Sequence, residues 1–438
     1  MTSPQPKQFL VITFMAALLC LGLLSGAPAW AQDEDNNSRR TPTFDDALAA
    51  YNYGDNAEAI KGFWRLAAAG DERAQFYLAY MQDTGQGTGK DIYGAVSWYK
   101  KSAEKDYLPA ITYMGYIYST GHGVTKDDKE AFKWYAKGAQ MGDASAQNGL
   151  ATMLREGRGY KKDYGLATQW YLQAATQGHT RAQYNLAEMY RRGQGVQVNY
   201  AEALRWYSYA AQKGDMYAQD ALGDMYRNGQ GVDKDPVQAL VYYGQAAEKG
   251  HVPAELALAR MYETGEGDST KGPTDAAIWY AHAAKKGSAQ AQARLGYFYE
   301  NGIGLPQDFK GAVRWYTKAV EENHYTPPMV ALAHLYEDGK GIPQDIDKAR
   351  TLYQKGADAG DPYCQRELGR LYKEGKGARK DMVLAYQWLA LAAAGFPEGE
   401  DRASAVVSRI ELSNALSEDQ LNDARRRVST WTPRNINK

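Results

Sequence analysis

A pair of glycines separated by one residue recurs nine times along this chain of 438 residues, at a spacing of 36 or 37 residues. The pairs lie at 85/87, 121/123, 157/159, 193/195, 229/231, 265/267, 302/304, 339/341 and 375/377. Such a period is typical of proteins that stack many copies of one small unit. The sequence therefore predicts a repeat protein with an extended recognition surface, rather than a globular enzyme with one cavity.

Each unit carries the pattern of two amphipathic helices. In the unit at 215–250, the first helix has apolar residues at i, i+4, i+7 and i+8 counted from Ala218, which is the spacing of one helix face. The first glycine of the pair suits the end of this helix, because it adopts the left-handed conformation readily. The second glycine lets the loop turn, and an Asp or Asn such as Asp127, Asn199 or Asp235 is expected to cap the second helix.

The second helix places an alanine three residues before a slot that is usually aromatic. This slot holds Trp98, Trp134, Trp170, Trp206, Tyr242, Trp279, Trp315, Leu352 and Trp388. Alanine lets neighbouring helices approach at the short end of the usual range of about 8–10 Å, and each aromatic side chain buries about 150–250 Å². We expect these rings to form the core rather than a platform on which ligands stack.

The unit Ala-Gln-x-x-Leu-Gly-x-x-Tyr-x-x-Gly-x-Gly-Val-x-x-Asp-x-x-x-Ala-x-x-Trp-Tyr-x-x-Ala-Ala-x-x-Gly is clearest at 218–250 and 291–323. It resembles the Sel-one-like repeat family, which is related to the tetratricopeptide repeats. The resemblance implies an all-α fold, namely a right-handed α/α superhelix (solenoid) of about ten helix-turn-helix repeats with a C-terminal helical cap. It also implies a role as an adaptor between proteins.

The resemblance divides the chain into repeats. Nine full repeats cover 71–395, with bounds at 71–106, 107–142, 143–178, 179–214, 215–250, 251–287, 288–323, 324–360 and 361–395. A shorter helix pair at 44–70 resembles an ordinary tetratricopeptide start. Residues 396–438 are expected to form the cap, with helices near 401–410 and 418–430 and a capping box of Ser417 and Gln420.

The first 31 residues have the parts of a secretory signal peptide: Lys7, an apolar run at 9–24, and small residues on either side of Trp30. We predict cleavage after Ala31. A membrane anchor is the alternative, but the apolar run of 16 residues is short of the roughly 20 that a span needs. The expected location is therefore periplasmic or secreted, without stable membrane insertion after cleavage, and the polar residues 32–43 are expected to form a disordered linker.

The charge balance argues against nucleic acid as a partner. The formal net charge is −1, and removal of the predicted signal peptide takes away only Lys7 and leaves −2. A nearly neutral chain has no overall field to attract nucleic acid or an anionic membrane. Cysteine is also scarce, because Cys20 would leave with the signal peptide and only Cys364 would remain. The mature chain could then form no intrachain disulfide.

No motif predicts an enzyme, a cofactor or a metal site. The glycine pairs follow a helix instead of a strand and lack the Lys and Ser/Thr of a phosphate-binding loop. His179, His251 and His324 occupy one slot in units that lie two repeats apart, which is too far for a shared metal. Cys364 stands where most units have alanine, so a small buried residue is the expected role.

The candidate binding surface lies on the first helix of each repeat, which in tetratricopeptide-like stacks lines the concave groove. The slot two residues after the repeated leucine varies, as Tyr80, Tyr116, Thr152, Glu188, Asp224, Arg260, Tyr297, His334 and Arg370. The first repeats offer an aromatic cluster of Phe76, Tyr77, Tyr80, Tyr113 and Tyr116. Near the end of the first helix, the middle repeats offer a basic zone of Arg155, Arg191, Arg192 and Arg227, followed by acidic Glu263, Glu300 and Glu337. Arg260 of the variable slot is a further candidate for partner binding.

A basic zone beside an acidic zone could orient an extended partner, although charges at helix ends are also common solvated features. Three hypotheses for function remain at this point. The leading one is a non-catalytic scaffold of the bacterial cell envelope that binds a protein or peptide partner in the groove. The second is a module that binds peptidoglycan or an exported polysaccharide. The third is a β-lactam hydrolase, which only cysteine-rich relatives suggest and for which this chain lacks the regularly paired cysteines.

Overall fold

The computed structural model of the chain describes residues 43–322 and 325–434, which form two compact units divided between Met141 and Gly142. Every regular element in these residues is helical, so the expected all-α class is confirmed. The predicted signal peptide at 1–31, the predicted linker up to residue 42 and His324 lie outside the described residues.

The first unit contains three helix pairs. Its helices are α1 (Phe44–Tyr53), α2 (Asn56–Ala69), α3 (Glu72–Thr84), α4 (Ile92–Glu104), α5 (Leu108–Thr120) and α6 (Asp128–Gln140). Each odd-numbered helix packs against the even-numbered helix that follows it, and α2 and α4 each pack against the first helix of the next pair. The chain therefore stacks these pairs as consecutive repeats.

The second unit continues the same numbering. Its helices are α7 (Ala144–Glu156), α8 (Tyr164–Thr176), α9 (Thr180–Arg192), α10 (Tyr200–Gln212), α11 (Met216–Asn228), α12 (Pro236–Glu248), α13 (Val252–Thr264), α14 (Pro273–Lys285), α15 (Ala289–Asn301), α16 (Phe309–Thr317), α17 (Met329–Asp338), α18 (Ile346–Asp358), α19 (Pro362–Glu374), α20 (Met382–Gly395), α21 (Glu400–Ala415) and α22 (Glu418–Thr430). Odd-numbered helices up to α19 are the first helices of repeats, and even-numbered helices up to α20 are the second helices.

One repeat departs from the regular pattern. A π-helical turn at Lys318–Glu322 follows α16, and the next first helix, α17, has 10 residues where most others have 13. Pro327 and Pro328 precede α17. Proline disfavours helical backbone in the residue before it and provides no backbone N–H. Two consecutive prolines therefore delay the start of this helix to Met329.

In most repeats, the predicted aromatic slot is not the most deeply buried aromatic position. Trp206, Trp315 and Trp388 are buried as expected, but Trp98 and Trp170 are only partly buried. The tyrosine that follows this slot is more completely buried in most repeats. These tyrosines are Tyr99, Tyr171, Tyr207, Tyr243, Tyr280, Tyr316 and Tyr353, each at most 2% exposed. Consecutive residues of a helix point about 100° apart, so only one of the two rings can face the first helix of the same repeat.

A small residue on the first helix makes room for each buried tyrosine. A Cβ atom added to Gly223 would lie 2.6 Å from the ring of Tyr243, and Gly296 stands in the same relation to Tyr316. Other repeats place an alanine at this position, such as Ala151 opposite Tyr171. The close approach of paired helices therefore depends on the small residues that the repeat pattern contains.

Neighbouring repeats are joined by a buried glutamine. The side-chain amide of Gln183 donates to the backbone carbonyl of Ala175 at 3.2 Å, and Gln219, Gln292 and Gln365 make the equivalent bond. Each bond satisfies a carbonyl at the end of the preceding second helix, where no intrahelical partner exists. In one repeat Glu255 takes this place and binds Lys286 at 2.6 Å instead.

Side-chain caps begin most of the helices. Asp127, Asn199 and Asp235 each accept a hydrogen bond from a backbone N–H in the first turn, as predicted. The capping box of Ser417 and Gln420 is also present. His179 caps α9, because its Nδ1 atom accepts from the backbone N–H of Ala182 at 3.2 Å. The shared histidine slot is thus a helix N-cap position, which Asp143 and Asp215 fill in neighbouring repeats.

We expect His179 to make the stability of the second unit dependent on pH. Burial, together with the nearby charges of Arg181 and Lys213, lowers the pKa of His179 to about 4 from an ordinary value of 6.5. Its contribution is present above pH 6.5 and is lost as the pH falls from 6.5 towards 4, because the unfolded chain gains a proton there first. The loss should be at most about 1.4 kcal/mol per pH unit.

Urea denaturation of wild type and His179→Asn between pH 8 and 4 measures this effect. Asparagine caps helices without titrating, so wild type should lose stability relative to the variant only below about pH 6.5. A constant difference between the two proteins across this range would contradict the prediction.

The C-terminal residues pack back on the last repeats. Helices α21 and α22 both contact α20. Beyond α22, the backbone N–H of Arg434 donates to the carbonyl of Asp358 at 2.7 Å, and the ring of Trp431 meets that of Trp388 edge to face at 6.3 Å. These contacts cover apolar surface at the end of the described repeats.

Candidate functional site

Five of the predicted site residues lie together in the first unit. Phe76, Tyr77, Tyr80, Tyr113 and Tyr116 are all partly buried on α3 and α5, and Tyr51 joins them from α1. We call the side chains of Tyr51, Tyr77, Tyr80, Tyr113 and Tyr116 the tyrosine surface. The sequence predicted the members of this cluster except for Tyr51, which lies in the shorter helix pair where the repeat pattern is weakest.

The rings of the tyrosine surface contact one another through their edges and faces. The Tyr51 ring lies 5.8 Å from Tyr77 and 6.4 Å from Tyr80, both edge to face. The rings of Tyr113 and Tyr116 are 5.4 Å apart, and buried Tyr99 lies 4.5 Å from Tyr113. Aromatic contacts of this kind hold side chains in fixed orientations. The rings on α1 and α3 thus contact each other directly, and those on α5 are connected to α3 through Phe76 and buried Tyr99.

A buried carboxylate lies at the base of this face. Asp83 is 7% exposed, at the end of α3. Its carboxylate accepts a hydrogen bond from the Tyr113 hydroxyl at 2.9 Å and lies 2.6 Å from Nε2 of His122. His122 is the residue between the glycines of the next repeat's loop. Asp83 was not predicted as a site residue, although its spacing of 39 residues from His122 recurs in ion pairs of other repeats.

Burial shapes the acid–base behaviour of these tyrosines. Burial raises the pKa of Tyr80 and of Tyr116, and the negative charge of Asp83 raises both further. The pKa of Tyr113 is raised still more by burial, with Asp83 again contributing. The hydroxyls therefore stay protonated at neutral pH, and the carboxylate acts electrically on three of the rings of this surface.

The predicted basic zone of the second unit is largely paired with carboxylates of the chain. Arg191 donates to Glu188 through two nitrogens at 3.0 Å, and Arg192 lies 2.6 Å from the same carboxylate. Arg155 pairs with Glu156 at 3.0 Å. These contacts leave less free positive charge for a partner than the sequence pattern suggested.

The remaining predicted arginines contact side chains of the next repeat. Arg227 lies 2.7 Å from Glu266, and Arg260 donates to the side-chain oxygen of Gln290 at 3.2 Å. The acidic residues behave alike, because Glu263 binds Arg294 and Glu337 binds Arg370. The basic and acidic residues therefore interleave within the second unit instead of forming separate zones.

Several side-chain contacts join a helix end to the loop of the following repeat. The residue between the two glycines of the loop faces the side chain 39 positions earlier, as in His122 with Asp83, Glu266 with Arg227 and Lys376 with Glu337. The sequence signal was present, since Arg227 with Glu266 and Glu337 with Lys376 have opposite charges at the same spacing. A search for a contiguous motif could not find it.

The buried tyrosines of the second helices bind carboxylates on the first helices. Tyr243 donates to Asp224 at 2.6 Å, Tyr280 to Glu263 at 2.8 Å, Tyr316 to Glu300 at 2.7 Å, Tyr353 to Glu337 at 3.1 Å, and Tyr207 to Glu188. Each hydroxyl thus satisfies its hydrogen bond at the edge of the core. These acidic residues are part of the framework of the repeat as well as of its surface.

Cysteine and potential metal ligands were the groups that the sequence raised for covalent or metal chemistry. Cys364 is 1% exposed, and burial with the nearby Asp361 raises the pKa of its thiol well above the usual range. Within 43–322 and 325–434, no cluster of three or more His, Cys, Asp or Glu side chains could hold a metal ion. In the same ranges, no helix combines the length and the apolar character that a membrane crossing requires.

Comparison with known proteins agrees with this architecture. The pattern described as "Sel1 repeat" matches residues 72–107, 108–143, 144–179, 180–215, 217–251, 252–288, 289–324, 329–361 and 362–395. The eighth match begins late, at the repeat where two prolines shorten α17. A comparison with curated proteins gives no match.

Two solved structures resemble the chain over much of its length. One is a protective antigen of uropathogenic Escherichia coli strains with an SLR fold, which is 28% identical, covers 89% of this chain and 91% of its own, and has a TM-score of 0.58. The other is a Sel1 repeat protein from Oxalobacter formigenes, which is 34% identical over 56% of this chain and 100% of its own, with a TM-score of 0.52. With nine matched repeats and the helix pairs that they describe, this chain belongs to the Sel1 repeat family.

Proposed function

We propose that this chain is a non-catalytic interaction scaffold of the bacterial cell envelope, and that it binds a segment of a partner protein on the tyrosine surface. Sel1 and tetratricopeptide-like repeats generally mediate protein–protein interaction, and Sel1 repeat scaffolds are typically non-catalytic. The envelope location rests on the signal-peptide pattern at 1–31. The partner is expected to meet the chain in the periplasm or outside the cell.

The observation that carries this proposal is the group of partly exposed tyrosine rings on the first helices α1, α3 and α5. Tyrosine is enriched at protein interfaces, because it combines a large apolar ring with a hydroxyl and loses little rotamer freedom. The rings also hold one another in place before any partner binds. Preorganisation of this kind lowers the entropic cost of association.

In this proposal, the arginines of the second unit contribute less to partner binding than the tyrosine surface does. Arg155, Arg191, Arg192 and Arg227 are already bound to carboxylates of the chain, and Arg260 binds Gln290. A partner would have to compete with these contacts, and charged contacts at the rim of an interface contribute little to affinity. We therefore propose that they orient an extended partner whose main contact is the tyrosine surface.

The proposal is tested by crosslinked capture from an envelope extract, with the full chain as bait and peptide identification of what is retained. We expect Tyr80→Ala with Tyr116→Ala to reduce recovery of the main partner at least about tenfold, since truncation of a central aromatic residue costs about 2 kcal/mol or more. The matched control is Tyr53→Ala with Tyr93→Ala. These tyrosines are 68% and 79% exposed in the same unit, outside the tyrosine surface.

Two outcomes would contradict the proposal. If both double variants retain the partner equally, the tyrosine surface is not the binding site. If the bait retains isolated peptidoglycan through Tyr80 and Tyr116 and captures no protein, the ligand is a glycan. Circular dichroism and thermal unfolding of each variant establish that the loss of binding is not a loss of fold.

A further inference from the structure

We propose that the tyrosine surface recognises a cationic side chain, a lysine or an arginine, of the partner segment. This inference rests on the proposed function and adds the chemistry that the partner must carry. It comes from a comparison between equivalent positions of the repeats in the two units.

In the second unit, two carboxylates at the ends of first helices are bound by cations from the next repeat. Glu263 pairs with Arg294 of α15, and Glu337 pairs with Arg370 of α19 at 2.7 Å. Lys376, in the loop that follows α19, also binds Glu337 at 2.8 Å. The chain itself thus supplies the positive charge that these carboxylates need.

Asp83 occupies the same position of the repeat in the first unit, at the end of α3. Repeat alignment places Tyr113 where Arg294 stands, Tyr116 where Arg370 stands and His122 where Lys376 stands. The two arginines are thus replaced by aromatic rings, and the lysine by an imidazole. A partner that brings a cation to these rings restores the charge pairing seen in the second unit.

The rings are suited to a cation because they combine π faces with the field of Asp83. Asp83 accepts from the Tyr113 hydroxyl at 2.9 Å, and its negative charge adds to burial in raising the pKa of Tyr80, Tyr113 and Tyr116. An ammonium or guanidinium over a tyrosine face gains about 0.5–2 kcal/mol, more as it loses water. Tyr80 and Tyr116 keep part of their surface exposed, so the site is accessible.

The chain places its own cations over many other rings. Arg73 lies 4.2 Å from the centre of the Phe44 ring, and Lys101 lies 4.1 Å from that of Trp98. Among the described residues, no lysine or arginine lies over the ring of Tyr80, Tyr113 or Tyr116. A cation from a partner would therefore meet no competing lysine or arginine of the described residues over these rings.

Selection of a displayed library of random 12-residue peptides on the full chain tests this inference. We expect the enriched peptides to share a lysine or arginine. In fluorescence anisotropy, replacing that residue by the neutral analogue norleucine or citrulline should weaken binding at least about tenfold. Asp83→Asn should weaken binding similarly and should largely remove the effect of the replacement, because both changes delete the same interaction.

Matched variants separate the local charge from other causes. Asn at position 83 keeps the size of Asp83 and an oxygen that can accept from Tyr113. Glu104→Gln removes one charge from a carboxylate that is 57% exposed on α4, and it should change affinity less than about twofold. Tyr116→Leu keeps apolar volume and removes the π face, so it should weaken the cationic peptide more than its neutral analogue.

The outcomes distinguish this inference from the proposed function. Enriched peptides without a basic residue that bind through Tyr80 and Tyr116 and ignore Asp83→Asn would overturn the inference and leave the proposed function intact. Peptides that bind equally well after Tyr80→Ala with Tyr116→Ala would overturn both. A library in which no sequence is enriched would likewise contradict both.

Discussion

Gly195→Ala should lower the free energy of unfolding by about 4 kcal/mol, far more than the same substitution at most surface glycines. Gly195 is the second glycine of its pair and has a φ of 73°, in the left-handed region. An alanine there would pay a conformational cost of about 1–2 kcal/mol. This cost is common to all the left-handed glycines of the chain and does not single out Gly195.

The larger part of the expected loss comes from close backbone approach between repeats. A Cβ atom at Gly195 would lie 2.2 Å from the carbonyl oxygen of Tyr164 and 2.3 Å from its carbonyl carbon. Tyr164 begins α8, the second helix of the preceding repeat. Backbone atoms within a helix cannot move aside as a flexible side chain can, so the two repeats must separate. Gly304 and Gly341 meet the preceding second helix in the same way.

Gly287 provides the matched control, because it has a φ of 90° and no atom within 4 Å of an added Cβ. Gly287→Ala should cost only the conformational part, about 1–2 kcal/mol. Urea denaturation followed by tryptophan fluorescence measures both variants, with an unchanged m-value as the check that the same transition is observed. Equal losses in the two variants would contradict the explanation by close approach.

Glu337→Ala is the second substitution with a large expected effect, a loss of about 3 kcal/mol. The Glu337 side chain is 6% exposed. It accepts from Arg370 at 2.7 and 2.8 Å, from Lys376 at 2.8 Å and from the buried Tyr353 hydroxyl at 3.1 Å. Its removal leaves that hydroxyl without this acceptor and two cations without their counter-charge. The partial exposure of Arg370 and Lys376 places the estimate at the low end of the range for buried ion pairs.

The control for Glu337 is Glu374→Ala, which removes another carboxylate from the same arginine. Glu374 binds Arg370 at 3.0 Å but is 46% exposed, so its loss should cost about 0.5 kcal/mol. Comparable losses in the two variants would mean that burial of Glu337 does not determine its contribution. Urea denaturation at pH 7 measures both.

A pH series adds a second test for Glu337. Burial acts to raise the pKa of Glu337, but the interactions with Lys376 and Arg370 outweigh it, and the pKa is lowered from an ordinary 4.5. A depressed pKa stabilises the fold above pH 4.5, and this contribution is lost as the pH falls below that value. Wild type should therefore lose its advantage over Glu337→Gln in acid. An advantage that stays constant to pH 3 would be inconsistent with this account.

The sequence predicts the repeat fold because the same short-range pattern of apolar residues and glycines recurs in each unit. Ala218, Leu222, Met225 and Tyr226 define a helix face by spacing alone, and Gly229 ends that helix in the left-handed conformation. The aromatic cluster of Phe76, Tyr77, Tyr80, Tyr113 and Tyr116 was predicted for a related reason. Equivalent slots of stacked repeats lie side by side.

The sequence was less informative about which ring of a Trp-Tyr pair is buried. Both residues have the size and the apolar character of a core residue. The burial of Tyr243 in preference to Tyr242 depends on the position of Gly223 on the paired helix, and on Asp224 to accept the hydroxyl. These contacts join residues 19 or 20 positions apart, beyond the reach of a pattern within one helix.

By itself, the sequence determined the period, the two helices of each unit and the residues that end them, because these features depend on contacts within a few residues. Only the tertiary structure decided which charges are free. It paired Arg227 with Glu266 and Glu337 with Arg370, while it placed Asp83 among tyrosines and His122. The physical reason is that the potential at a surface is set by distances between side chains of different repeats, and these distances exist only after the repeats have packed.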